Sequence, residues 1–373
     1  MTELHNAVLE AGYVAVEPVE LIEFDSAGKC LLIGPAAQLQ ILIPRLTSLE
    51  LYCYATDKAE LEATTDAVTI IRQRVQDLSG WLGAFKVLFA DSTLSVDMVL
   101  DLGDKPMIST KVPPLGYFAP GGDEQALVEA LQQLPELVGG FDKPRFFNYN
   151  ADICAHSRRG IQACTNCIDA CPAEAVFSSG QDLINVNPSL CQGCGSCTVV
   201  CPSGAISYAL PTLDVSIDRL RRMLQTFAEH SELTPHLLIH DESQAQTLLE
   251  AYHYALPEQV VPFSIEEIGA LGMAFWLSAL AYGVGRVTVW DAQTHPDHDW
   301  QELQSSIDES NYLLVALGYG EARISWIQTR QFDSLQKWLD KKTKSMPVIP
   351  ARFAGVDDKR RMITMALTHL HQQ

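Results

Sequence analysis

The stretch 191-CQGCGSCTVVCP-202 sets four cysteines at C-x2-C-x2-C-x3-C and closes on a proline. Upstream, 164-CTNCIDACP-172 repeats the last three cysteines and the proline at a constant offset of thirty residues. Cys164, Cys167 and Cys171 thus map onto Cys194, Cys197 and Cys201. The residues after each proline also match in type, PAEAVF against PSGAIS. A repeat this short is one supersecondary unit used twice. Between the copies, 174-EAVFSSGQDLINV-186 predicts a hairpin that turns near Ser179-Gly180-Gln181.

Cysteine thiolate is a soft, anionic ligand that suits iron in sulfide clusters and zinc. Zinc ribbons pair C-x2-C units, but they do not ask for three cysteines per loop followed by Cys-Pro. The run therefore favours iron and sulfide. Three cysteines two residues apart lie on a tight loop and reach three corners of one cube. The fourth sits on a helical turn and points elsewhere. The proline after it removes a backbone donor and fixes φ, which turns the chain away from the site.

On these residues, 141–212 resembles a bacterial-type ferredoxin domain with two [4Fe–4S] clusters. The resemblance implies that the last cysteine of each copy crosses to the cluster of the other. The first copy departs from the pattern, because Ile161 stands where the second has Cys191. The nearby substitute is Cys154, in 152-DICAHSRRGIQAC-164, on a longer loop. One cluster is then expected on Cys154, Cys164, Cys167 and Cys201, and the other on Cys191, Cys194, Cys197 and Cys171. A three-iron cluster, or His156 as a ligand, is the alternative at the irregular position. Such clusters are anionic, so backbone N–H groups of Gly193 and Gly195 are expected to face sulfur. Arg158 and Arg159, inside the looped-out segment, are candidates for a positive fringe, with Arg145. Lys143 is a fourth candidate, though it reads rather as a solvated side chain.

Composition narrows the class. The chain has 373 residues, enough for two or three domains, and its 47% hydrophobic and 19% charged content is ordinary for a globular protein. A formal net charge of −20 disfavours nucleic acid, whose phosphates are held by clustered Lys and Arg. The charge is uneven: residues 1–142 carry 8 basic and 21 acidic side chains, while 143–212 carry 4 of each. Acidic flanks serve as a solvated surface and can also steer the protein to a basic partner. No basic segment followed by an apolar core opens the sequence, so no secretory signal is expected. The uncharged run 268-IGALGMAFWLSALAYGVG-285 has the bare length of a membrane span, but its four glycines and strand-like neighbours predict a buried helix instead. The expected location is cytoplasmic, where ten cysteines argue for metal over disulfides. Cys30 and Cys53, in 29-KCLLIG-34 and 49-LELYCYA-55, read as inert core residues.

Three units are predicted: an N-terminal α/β domain over 1–140, the dicluster α+β ferredoxin-like domain over 141–212, and a C-terminal α/β domain over 213–373. In the first, 29–34 and 49–55 read as strands around a helix opened by Pro35; 84-AFKVLFAD-91 and 96-VDMVLDLG-103 read as strands around a short turn. Segment 111–124 is a Pro/Gly-rich loop and 123–134 a helix. In the third, 236-HLLIH-240, 259-QVVPFSI-265, 286-RVTVWDA-292 and 311-NYLLVALG-318 read as strands alternating with helices, which predicts an open parallel sheet. Residues 357–373 read as a terminal helix.

The whole chain is similar to bacterial iron–sulfur proteins that accompany formate dehydrogenases and related respiratory or molybdenum enzymes. The segments that carry this are 113-PPLGYFAPGGDE-124, 145-RFFNYNADICAHSRRG-160, 164-CTNCIDACPAEA-175, 191-CQGCGSCTVVCPSGA-205 and 267-EIGALGMAFWLSALAYG-283. The resemblance implies an electron carrier between redox proteins, a formate dehydrogenase among them, and assigns no catalytic residue. Two other readings remain open. One is an oxidoreductase subunit with a flavin or substrate beyond the strand ends at His240-Asp241-Glu242, Trp290-Asp291 and Gly318-Tyr319-Gly320. The other is an accessory or maturation factor in which the clusters are structural staples. His240, His253, His295 and His298 show no metal-ligand spacing and read as surface or capping residues, and Trp276 and Tyr282 read as core.

Overall fold

The computed structural model describes residues 2–15, 18–57, 59–63, 65–156, 163–179, 183–292, 300–341 and 347–373. Its first unit is built on five parallel strands in the spatial order Val68–Ile71, Glu50–Ala55, Lys29–Gly34, Met98–Asp101, Tyr117–Phe118. Lys29–Gly34 runs near the middle, and all but its first residue is buried. A strand covered on both faces reads as such an unbroken apolar run. Helix Ala36–Leu42 starts directly after Pro35 and packs one face together with Glu124–Gln133. Asp123 caps the latter by accepting from the N–H groups of Gln125 and Ala126 at 2.8 and 3.2 Å. The other face is covered by a small antiparallel sheet of Asp77–Ser79, Phe85–Leu88 and Thr93–Val96.

That small sheet corrects one expectation. Phe85–Leu88 does not pair across a turn with Met98–Asp101; its hairpin partner is Thr93–Val96. Asp97 then separates that strand from Met98–Asp101, which joins the parallel sheet beside Lys29–Gly34. The loop 111–124 likewise contains the short edge strand Tyr117–Phe118.

Leu21–Ser26 pairs antiparallel with Gly139–Pro144, and this ribbon delivers the chain to the cysteine repeat. In the repeat, Phe147–Tyr149 pairs with Ile206–Tyr208, and Val176–Ser179 with Leu183–Val186. Two short helices, Asn166–Asp169 and Ser196–Val200, begin thirty residues apart, as the copies do. Phe147, Val176, Ile184 and Ile206 form a small core with Cys167.

The third unit is a four-stranded parallel sheet in the order Val260–Ile265, His236–Asp241, Arg286–Asp291, Ile324–Gln328. Helix Met273–Ala281 is wholly buried apart from its first residue, which explains its lack of charge. No helix among the described residues is long and apolar enough to cross a membrane. The terminal helix is Lys359–His371. The expected strand over 311–318 is instead the end of helix Gln301–Ala316. Leu303, Ile307, Ser310 and Leu314 are its buried side, at helical spacing, whereas Tyr312 and Val315 are exposed. The fourth strand lies further on, at Ile324–Gln328. The first helix, Glu3–Ala11, departs from the sequential order of units. Leu4 and Val8 enter the C-terminal core, and His5 Nε2 bonds the Val260 carbonyl at 2.9 Å. The boundary expected for a 1–140 unit is therefore broken at its start.

Candidate iron–sulfur centre

Each cysteine is placed by short local structure. Cys154 ends the turn Ala151–Ile153, which Asn150 caps by accepting from the Asp152 N–H at 3.0 Å. Asn150 N–H in turn donates to the Ala205 carbonyl at 2.8 Å, so the segment before Cys154 is tied to the second copy. The long loop after Cys154 closes where Ala163 N–H donates to His156 O at 3.0 Å. His156 is buried and uses both ring nitrogens: Nδ1 meets the Cys164 carbonyl at 2.7 Å and Nε2 the Ser178 hydroxyl at 2.9 Å. It braces the loop rather than facing it with an open nitrogen. Arg158, Arg159 and Ile161 lie outside the described residues, as do His295 and His298.

The thiols fall into two neighbourhoods. Cys154, Cys164, Cys167 and Cys201 line one cavity, with His156, Asn166 and Ser203. The Cys167 thiol is pushed up to about 12 by burial, then by Cys201, Cys154 and Cys164 in that order. Cys194 is pushed up to about 12 by burial, against N–H and O–H groups of Ser196, with Cys171 and Cys191 adding to the rise. Cys197 is raised by burial, then by Cys194, Cys191 and Cys171, and only after them by Cys167. So Cys201 of the second copy sits with the first set, and Cys171 of the first copy with the second. Four close thiols, Cys167 and Cys201 buried and the rest half-buried, repel one another as anions and suit a positive metal–sulfide core that replaces their protons. Among the described residues no three His, Cys, Asp or Glu side chains are close enough to share a single metal ion. A cubane asks for a different arrangement, one thiolate on each of four irons.

Donors surround the sulfurs. Cys201, which burial alone would raise, is brought below its ordinary value by N–H groups of Ile206 and Ser203 and by the Ser203 hydroxyl, 3.6 Å away. Ala175 N–H donates to Cys171 Sγ at 3.3 Å. Gly193 N–H faces Cys191. Gly193 takes φ +78°, and a Cβ there would stand 2.7 Å from the Phe146 ring. Gly195 serves close approach: at φ +82°, a Cβ would lie 2.3 Å from the Gly269 carbonyl. The second cysteine loop thus lies directly on the turn Ile268–Ala270 of the C-terminal unit.

Two lysines reach this site, Lys359 without any signal in the sequence and Lys143 against its reading as solvated. Lys143 is not a freely solvated side chain: its ammonium donates to the Ser189 and Cys191 carbonyls, each at 2.8 Å, and burial brings it down to about 8 with Cys191 opposing. Lys359, at the start of the terminal helix, donates to the Thr198 and Val199 carbonyls at 2.9 and 2.7 Å. Arg145, by contrast, pairs with exposed Glu20 at 2.7 Å. Cys30 and Cys53 are fully buried on neighbouring strands, and burial pushes the Cys53 thiol up to about 12.

With this geometry in place, comparison with known proteins settles the class. A family profile described as "4Fe-4S binding domain" matches residues 184–207, which hold the whole run from Cys191 to Cys201. An uncharacterized ferredoxin of Methanocaldococcus jannaschii is 37% identical over 43 residues, 12% of this chain and 69% of that protein. The chain belongs to the 4Fe–4S ferredoxins. It is also similar to a tetrathionate reductase subunit of Archaeoglobus fulgidus, 25% identical over 92 residues, 25% of this chain and 34% of that one. Hydrogenase-4 component A of Escherichia coli is 54% identical over 41 residues, 11% of this chain and 20% of its own length. The chain thus spans about a third or less of these two relatives. It is an iron–sulfur protein of the electron-transfer class that binds [4Fe–4S].

Proposed function

We propose that this ferredoxin passes single electrons between cytoplasmic redox proteins through two [4Fe–4S] clusters. Cys154, Cys164, Cys167 and Cys201 hold one, and Cys191, Cys194, Cys197 and Cys171 hold the other. The proposal takes 141–212 as a dicluster ferredoxin-like α+β domain, with α/β units on either side. The observation that carries it is the cavity lined by Cys154, Cys164, Cys167 and Cys201, in which the last cysteine of the second copy stands with the cysteines of the first. Each cluster, when bound, takes up and gives back one electron. The chain's own part is to hold the thiolates, aim N–H groups at them and exclude water from buried Cys167 and Cys201. A redox-enzyme partner is supported by the naming of two relatives as components of a reductase and a hydrogenase, and a formate dehydrogenase in particular by the whole-chain resemblance alone.

The test is anaerobic reconstitution with iron and sulfide, followed by reductive titration under EPR. The proposal expects two cluster equivalents of iron and sulfide per chain and two reducible [4Fe–4S] signals. A zinc-filled protein, or one equivalent only, overturns it.

A second reading has one observation in its favour. A cleft of about 630 Å³ opens at the carboxyl ends of Val260–Ile265 and His236–Asp241, lined by Arg219, His240, Glu242 and Glu266. Here His240 is buried, not a surface residue. Glu266 is held up at about 7 by burial and by Glu267 and Glu242. A flavin or small substrate in this cleft would make the chain an oxidoreductase subunit. A chromophore other than iron–sulfide released on denaturing the purified protein would support that reading, and its absence counts against a flavin.

A further inference from the structure

Two lysines from outside the cysteine repeat reach its backbone from opposite flanks. Lys359 Nζ is bonded to Thr198 O and Val199 O, both in the helical segment between Cys197 and Cys201. These two cysteines belong to different ligand sets, so the ammonium stands between the sets. Burial brings Lys359 down to about 8, and the thiols that oppose this are Cys201 and then Cys197. Its anchorage is firm. Asp358 caps the terminal helix by accepting from Arg361 N–H at 2.9 Å. Arg360 Nε donates to the Pro202 carbonyl at 3.3 Å, beyond Cys201. Gly204, at φ +75°, admits the lysine stem, since a Cβ there would lie 3.0 Å from Lys359 Cβ. The carboxylate whose charge acts on Lys359 is Glu309. Lys143 Nζ is bonded to Ser189 O and Cys191 O and lies 5.0 Å from the Phe24 ring centroid. The cysteine that acts on it is Cys191, a member of the second set only.

We propose that Lys359 sets the reduction potentials of both clusters, and Lys143 that of the second cluster alone, each by fixing an ammonium against the ligand loops. This rests on the two-cluster reading above. A cluster gains negative charge on reduction, so a fixed positive charge beside its ligands stabilises the reduced form and raises the potential. Both lysines are positioning residues that act through charge and not as ligands. The strand Gly139–Pro144, which leads into the cysteine repeat, thereby supplies one charge and the terminal helix the other.

The experiment is an anaerobic EPR redox titration of the full reconstituted chain as native protein, Lys359→Gln, Lys359→Arg and Lys143→Gln. Glutamine keeps an N–H donor and removes the charge; arginine keeps the charge. Iron and sulfide counts on each variant establish assembly. Lys359→Gln is expected to move both midpoints to more negative potential, Lys143→Gln only one, and Lys359→Arg neither by a comparable amount. Native midpoints in Lys359→Gln overturn the proposal. So does a loss of clusters in Lys359→Gln that Lys359→Arg shares, because the residue is then a brace and not a charge. Failure of the native protein to hold two reducible clusters is a separate result, which sinks the two-cluster reading instead.

Discussion

Cys154 and His156 stand two residues apart and have different work. Cys154 lines the cavity with three other thiols, while His156 gives both ring nitrogens to Cys164 O and Ser178 Oγ. Cys154→Ala is therefore expected to remove one of the two proposed clusters and halve the iron and sulfide per chain. His156→Ala is expected to leave the iron count of freshly reconstituted protein unchanged, while loss of iron to a chelator becomes faster. Unchanged iron in Cys154→Ala would remove that cysteine from the ligand set. At this scale the sequence was informative where chemistry was local. The run 191–202 named iron and sulfide by spacing alone, and the family match falls on it. Lys359 was invisible and Lys143 reads rather as solvated, because nothing in a lone lysine says which carbonyl it will meet after folding. The bonds of Lys359 span 160 and 161 residues.

At the scale of elements, the second cysteine loop and the turn Ile268–Ala270 touch backbone to backbone. Gly195 and Gly269 make this contact, and each would bring a Cβ to within 2.3 Å of the opposing backbone. Gly195→Ala must find a new φ and push the two loops apart. The dihedral strain alone costs about 1–3 kcal/mol. Denaturant unfolding is expected to show a loss beyond that range, together with weaker cluster retention. Gly121→Ala is the control, with positive φ but nothing within 4 Å of its Cβ, and should cost about 1 kcal/mol. Equal losses in the two variants would show that the close approach does not matter. Element type was legible where alternation or flanking Gly and Pro marked the run, as in the hairpin 174–186 and the strands 29–34 and 286–292. It failed at 311–318, where Tyr312-Leu313-Leu314-Val315 is too short an apolar run to distinguish strand from helix. The deciding signal was upstream, in the spacing of Leu303, Ile307 and Ser310.

At the scale of the molecule, stability has a pH dependence that starts in the C-terminal sheet. His236 is held down to about 3 by burial and by Arg286, and His240 to about 4 by burial. Unfolded histidine titrates near 6.5. Below that value the unfolded chain takes up protons that the folded chain refuses. The stabilisation is complete above about pH 6.5 and is lost as pH falls towards the folded values, by up to about 1.4 kcal/mol per unit and per histidine. Urea unfolding at pH 7 and pH 5 is expected to show the loss, and His236→Asn to show less of it. The same loss in the variant as in the native protein would acquit His236. The placement of helix Glu3–Ala11 in the C-terminal core was beyond sequence reading, since a short amphipathic helix does not say which apolar surface will cover it.

The most direct measurement is a comparison of EPR spectra from reduced Cys171→Ser and Cys154→Ala proteins, each reconstituted anaerobically. If final ligands are exchanged between copies, the two substitutions strike different clusters, and the signal lost or altered in one survives in the other. If both substitutions damage the same signal, Cys171 serves its own copy, and the crosswise arrangement on which the two-cluster account stands is contradicted.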